Sequence, residues 1–186
     1  MTFRIETKRL ILRPLQLTDE DDLLEYQSHP DIVRYIPWPE RTREQVRTAI
    51  EKILETGKFD LKEEGDYIVL GWELKDGPHK GKIIGQSNMS LISLNDKCSN
   101  IGWVTHQNFQ SLGYAYEATR ALMEHAFTHY PLHRIIADID TRVPRSAGLA
   151  MKLGMRREAT LIEGEFFKGE WCDMWLYAIL RSEFQA

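Results

Sequence analysis

Cysteine is scarce in this chain. Of 186 residues only Cys98 and Cys172 carry a thiol, and they show no metal-site spacing. They read as reduced residues of a cytoplasmic protein. Long apolar runs are also missing. Nothing approaches the ~20 residues of a membrane span, so no membrane partner is expected. The start of the chain lacks the basic-then-apolar pattern of a secretory signal. Positive charge is not in surplus: Lys+Arg number 24 against Asp+Glu 28, a net charge of −4. That disfavours a general nucleic-acid binder and suits a cationic amine as partner. Among the six histidines His125 and His129 stand at i, i+4 on the central helix, and two without a third ligand are expected on the surface rather than on a metal. There is no internal repeat and no low-complexity tract.

What is present is the composition of an ordinary globular domain, 42% hydrophobic and 28% charged, and the length suits one core over 1–186. Alternation predicts a first strand from Arg9 to Leu15. Thr18-Asp19-Glu20-Asp21 predicts a capped helix running to about Ser28, stopped by His29-Pro30. Thr42-Arg43-Glu44-Gln45 opens a second helix with Val46, Ile50, Ile53 and Leu54 on one face, ended by Gly57. Strands follow at Tyr67–Leu74, Lys82–Leu94 and Cys98–Val104, and this meander is expected to be antiparallel. After a long central helix come a strand at Arg134–Ile139, a short helix around Ser146–Leu153, and strands near Arg156–Glu163 and Cys172–Leu180. The order predicts an α/β class with a mixed sheet.

The stretch from Ile101 to Tyr130 organises the rest. An apolar strand enters Gln110-Ser111-Leu112-Gly113-Tyr114-Ala115, and a helix begins there with Ala115, Ala118, Leu122 and Ala126 along one face. A helix N-terminus offers free N–H groups and partial positive charge, which together favour an anion. Gly113 removes the β-carbon where a phosphate would approach. A lone glycine before a helix is more often plain turn chemistry.

Here the spacing has company. Gln110-x-x-Gly113-x-Ala115 resembles the acetyl-CoA pyrophosphate loop of the GNAT superfamily of N-acetyltransferases. Gly113-Tyr114-Ala115-Tyr116-Glu117-Ala118 looks like the variant of the RimJ/RimL branch, which acetylates ribosomal-protein N-termini. Glu6 to Pro14, Ile101-Gly102-Trp103, Lys152-Leu153-Gly154-Met155 and Gly169 to Tyr177 extend the resemblance nearly end to end. It implies a GNAT fold, with about seven mostly antiparallel strands and four flanking helices. It also implies acetyl-CoA as co-substrate, no metal, and direct attack by a primary amine in a ternary complex. The protein is expected as a monomer or homodimer.

The family places Trp103, Val104 and Thr105 along the pantetheine, with Val104 N–H as donor to the developing oxyanion, and Gln110, Ser111, Leu112, Gly113, Tyr114, Ala115 and Tyr116 around the pyrophosphate. Several positions depart from it. Asn100 stands where relatives have a glutamate base and cannot accept a proton. Val143 replaces a capping Asn, and Ala150 a tyrosine acid. Ser146 survives, either as donor to the thiolate or as a residue satisfying a helix end. On the acceptor side, Trp38 is either a wall of the cleft or a lid over the first two helices. Glu73 is a candidate proton relay through water. Glu117 is expected to be structural, favoured by the helix dipole, and Asp173 to be an ion-pair or turn partner. The acceptor stays open among N-terminal peptide, polyamine, aminoglycoside and amino acid. A catalytically weakened CoA-binding sensor or scaffold is the alternative.

Overall fold

The computed structural model describes residues 3–57 and 59–185. They form one open sheet in the order β1-β2-β3-β4-β5-β6-β8-β7. The strands are β1 Ile5–Glu6, β2 Leu10–Arg13, β3 Tyr67–Leu74, β4 Ile83–Ser93, β5 Cys98–Thr105, β6 Arg134–Asp140, β7 Arg156–Phe167 and β8 Glu170–Leu180. The helices are α1 Glu20–Gln27, α2 Pro30–Val33, α3 Arg43–Thr56, α4 Tyr114–His129 and α5 Pro144–Lys152. The expected seven strands and four helices are all there, joined by β1 and α2. Two residues of β1 are too few for a period-2 pattern to register. Pro30 does end α1, but it also opens α2 at its first position, where a missing N–H costs nothing.

Thr18 does not cap α1. A 3-10 turn at Leu17–Asp19 precedes the helix, and Asp19 accepts the Gln16 N–H at 2.8 Å while Arg13 pairs with it. Thr42 does cap α3: its hydroxyl accepts the Gln45 N–H, and the Gln45 amide oxygen accepts the Thr42 N–H at 2.8 Å.

The sheet is covered on both faces. Ala118, Leu122 and Ala126 of α4 and Ala150 of α5 pack on Leu10, Leu70, Trp72, Ile84 and Ile101. On the other face Leu23, Tyr26, Val46 and Ile50 of α1 and α3 pack on Val69, Ile83 and Val104.

One ladder differs from the others. β5 and β6 are parallel, as a helical crossover through α4 requires. They pair only at Cys98–Asn100 with Arg134–Ile136. Beyond that, β5 runs on to Thr105 and β6 to Asp140 without pairing to each other. The sheet thus opens into a wedge, and the β5 edge inside it has backbone groups that need partners.

Candidate active site

Register decides which β5 groups face the wedge. His106 donates its N–H to the Ile84 carbonyl at 2.9 Å. The ladder continues as Gly85 with Thr105, Gln86 with Val104 and Ser87 with Trp103. Bonded and non-bonded pairs alternate in an antiparallel ladder. Gly102 and Val104 therefore bond back to β4, while Ile101, Trp103 and Thr105 turn their N–H and C=O groups into the wedge. The expectation that Val104 N–H serves the oxyanion fails on this register. Trp103 and Thr105 hold the open positions. The Thr105 carbonyl accepts from the Gln110 amide at 3.3 Å.

The wedge leads to the exposed loop before α4. Ser111 (φ 61°) and Gly113 (φ 83°) both adopt left-handed backbone. Such residues turn neighbouring N–H groups into one concavity, an anion nest. Glu117 is the first α4 residue whose N–H bonds within the helix, to the Gly113 carbonyl at 3.1 Å. The amides of Tyr114, Ala115 and Tyr116 are left for a ligand.

Arg9 holds this loop from below. It donates to the Leu112 carbonyl at 3.0 Å and lies 4.1 Å over the Tyr114 ring. It also donates to Glu117 through both its backbone N–H (2.7 Å) and its side chain (2.6 Å). Thr7 donates a third bond to Glu117 at 2.6 Å. Burial alone would raise the Glu117 carboxyl, but these bonds outweigh it and hold the group below its ordinary value. Glu117 is structural through Thr7 and Arg9, with the dipole secondary. Lys152 of α5 sits 4.9 Å over Tyr116. Beside Gly113 opens a cavity of about 510 Å³ whose lining includes Lys8, Arg9, Tyr116 and Arg120. A larger one, about 580 Å³, lies at the far end of α4. There Arg181 donates to the carbonyls of Phe127, Tyr130 and Leu132, which closes the helix end and brings no reactive group to the wedge.

His106 anchors the start of the loop. It is fully buried; its Nδ1 accepts the Asn108 N–H at 3.1 Å, so Nε2 donates to Glu25 at 2.8 Å.

Across the wedge, β6 runs into α5. Asp140 is buried and binds Arg142 through its backbone N–H (2.9 Å) and guanidinium (2.6 Å). Arg142 in turn stacks 4.8 Å over Tyr35. This brace sets the turn from which α5 starts. Val143 is its N-cap without a side-chain bond. Ser146 follows in the first turn, part-exposed, and its hydroxyl makes no hydrogen bond among the described residues. Arg145 donates to Gln110 at 3.4 Å, adding a cation at the nest. Ala150 is fully buried in the α4-side core.

Of the acceptor-side residues, Glu73 is bound by Arg13. Trp38 packs on the α1–α3 core with Arg41 5.0 Å above its ring. Asn100 donates to Asp138 of β6 at 2.7 Å. Asp173 accepts the Glu163 N–H at 2.8 Å where β7 bulges. His125 and His129 stack at 4.0 Å, and no group of three or more His, Cys, Asp or Glu among the described residues could hold a metal. No helix among them is long and apolar enough to cross a membrane.

Arg9, Arg145 and Asp138 were not foreseen as site residues. Only Arg9 carried a signal, as part of the Glu6–Pro14 motif.

Comparison with known proteins places this geometry. The family described as "Acetyltransferase (GNAT) domain" matches residues 9–156. The chain is 34% identical over 185 residues to "Uncharacterized N-acetyltransferase YnaD" of Bacillus subtilis (strain 168), covering 96% of this chain and 98% of that one. Among solved structures, a GNAT-family acetyltransferase from Bacillus anthracis aligns with a TM-score of 0.84 at 28% identity, over 97% and 100% of the two chains. RimL, a ribosomal L7/L12 alpha-N-protein acetyltransferase solved with coenzyme A, shares the fold with a TM-score of 0.79 at 16% identity, over 96% and 98%.

Proposed function

The chain belongs to the GNAT acetyltransferase family, and on that premise we propose that it moves the acetyl group of acetyl-CoA onto a primary amine by direct attack. The observation that carries this reading is the continuity of two open features: the unpaired β5 edge and the left-handed nest at the start of α4. Trp103 and Thr105 would bond the pantetheine arm as an added strand does. The amides of Tyr114, Ala115 and Tyr116, with Gln110, Ser111 and Arg145, would hold the pyrophosphate. Bound acetyl-CoA supplies the activated acyl group and a thiolate that leaves well.

The protein's own part is to orient and to move protons. The part-exposed Ser146 hydroxyl, without a hydrogen-bond partner among the described residues, is the donor to the departing sulfur. With Val104 N–H turned to β4, the wedge-facing N–H groups of Ile101 and Trp103 are the candidates for the carbonyl oxygen as it gains charge. The acceptor approaches on the α1–α3 face, beneath the connection that carries Trp38, as a peptide N-terminus or a small amine.

Thiol release from acetyl-CoA is the test, measured with a seryl peptide amide, spermidine, an aminoglycoside and a free amino acid. Amine-dependent release with acetylated product by mass spectrometry is the expected result. Binding of acetyl-CoA without release on any amine favours a sensor or scaffold instead.

A further inference from the structure

Asn100 cannot take a proton, yet it holds a group that can. Its side chain donates to Oδ2 of Asp138 at 2.7 Å. The two residues come from the two walls of the wedge. Asn100 is the last β5 residue paired to β6, and Asp138 lies two residues past its partner Ile136. The bond therefore spans the point where the sheet divides. Ile135, Ala137 and Ile139 lie in the α4-side core, so strand alternation turns Ile136 and Asp138 to the opposite face. On that face α1 and α3 pack on Val69, Ile83 and Val104 of β3, β4 and β5 and on no β6 residue, which leaves Asp138 open to an arriving amine, whereas α4 and α5 cover the other face. Asp138 is exposed, and its Oδ1 has no hydrogen bond among the described residues.

We propose that Asp138 is the general base of the transfer, a carboxylate moved one strand over from the position that Asn100 occupies, with Asn100 as its positioning residue. This rests on the acetyl-transfer reading above. In the step, the amine nitrogen forms a bond to the thioester carbon, and the C–S bond breaks with its electron pair on sulfur. The ammonium proton passes to Oδ1 of Asp138. Sulfur takes its proton from solvent through the Ser146 hydroxyl, and Asp138 later returns its proton to water.

The surroundings suit a base. Crowding by the flanking strands raises the Asp138 carboxyl above its ordinary value, and the Asn100 bond offsets this only in part. On β6 the nearest charges on the same face are Arg134, paired with Glu158, and Asp140, paired with Arg142. On β5 stands the Cys98 thiol, and on β8 the residue opposite Asp138 is Leu176. Neutral Asn88 and Ser90 of β4 flank Asn100 across the ladder. No unpaired cation among these holds the carboxylate ionised. A raised carboxyl weakens the fold when ionised, so Asp138 contributes no stability at neutral pH that its loss would remove.

The test compares the parent with Asp138→Asn and Asp138→Glu, using acetyl-CoA with a seryl tripeptide amide and with hydrazine, a weakly basic amine. Asp138→Asn should lower kcat on the peptide about 10²–10³-fold. The acetyl-CoA dissociation constant and the melting temperature should stay at parental values. The parent's kcat/KM should fall as pH drops through the Asp138 pKa, and this acidic limb should vanish in Asp138→Asn. Asp138→Glu should keep part of the rate, and the loss on hydrazine should be smaller. A parental rate with an unchanged limb overturns the proposal, as does a rate loss matched by lost cofactor binding or a lower melting temperature. A parent that binds acetyl-CoA but acetylates neither amine overturns it together with the transfer reading for these acceptors. An active parent with an indifferent Asp138→Asn overturns the base alone.

Discussion

Gly113→Glu is expected to abolish acetyl-CoA binding, raising the dissociation constant more than about 100-fold, while the fold survives. A hundredfold is about 2.7 kcal/mol, a modest demand on the two effects that act together. The new side chain would enter the nest that faces the pyrophosphate, and its carboxylate would repel the phosphates in a partly dry site. The folded state loses little, because Gly113 is exposed and the nearest atom to an added β-carbon is Arg9 Nη2 at 3.4 Å. The left-handed backbone at φ 83° adds a strain of about 1–2 kcal/mol for any L-residue. Gly113→Ala separates these contributions: it carries the strain without charge or length, and should bind acetyl-CoA within about tenfold of the parent, a shift of ~1.4 kcal/mol. Calorimetry and thermal melts of both variants give the comparison. Parental affinity in Gly113→Glu would place the phosphates elsewhere.

Ser146→Ala should lower kcat about 10²-fold with acetyl-CoA affinity nearly unchanged. The hydroxyl has no hydrogen-bond partner among the described residues, so it can bond a thiolate that exists only as the C–S bond breaks. An interaction made only then appears in kcat and not in ground-state binding. Stability should hold too, since removing a part-exposed, unbonded hydroxyl deletes no buried contact. Steady-state rates with calorimetric affinities decide it. An unchanged rate on a good acceptor would leave Ser146 as an ordinary first-turn residue.

The residues that were legible in the sequence are those whose roles are local. Thr42 and Gln45 are three apart and cap α3 as read. Gly113 precedes a helix with an apolar stripe, and α4 starts directly after it as read. Pro30 was half legible: a break was evident, but the same residue also starts α2. What escaped depends on contacts between distant segments. Arg9 and Glu117 are 108 residues apart, and Asn100 and Asp138 are 38 apart. Nothing in either stretch alone announces the other. The Val104 assignment failed for a related reason. The direction of a strand N–H is set by the register with β4, and register belongs to the pair rather than to β5 alone.

The central claim is that acetyl-CoA lies along the unpaired edge of β5 with its phosphates on the α4 nest. Amide chemical-shift mapping during an acetyl-CoA titration tests it most directly. The largest shifts should fall on Ile101, Trp103, Thr105 and residues 111–116, with smaller ones at Arg145 and Ser146. Shifts gathered instead around Lys97, His129, His133 and Arg181, at the cavity on the far end of α4, with the β5 edge silent, would contradict it.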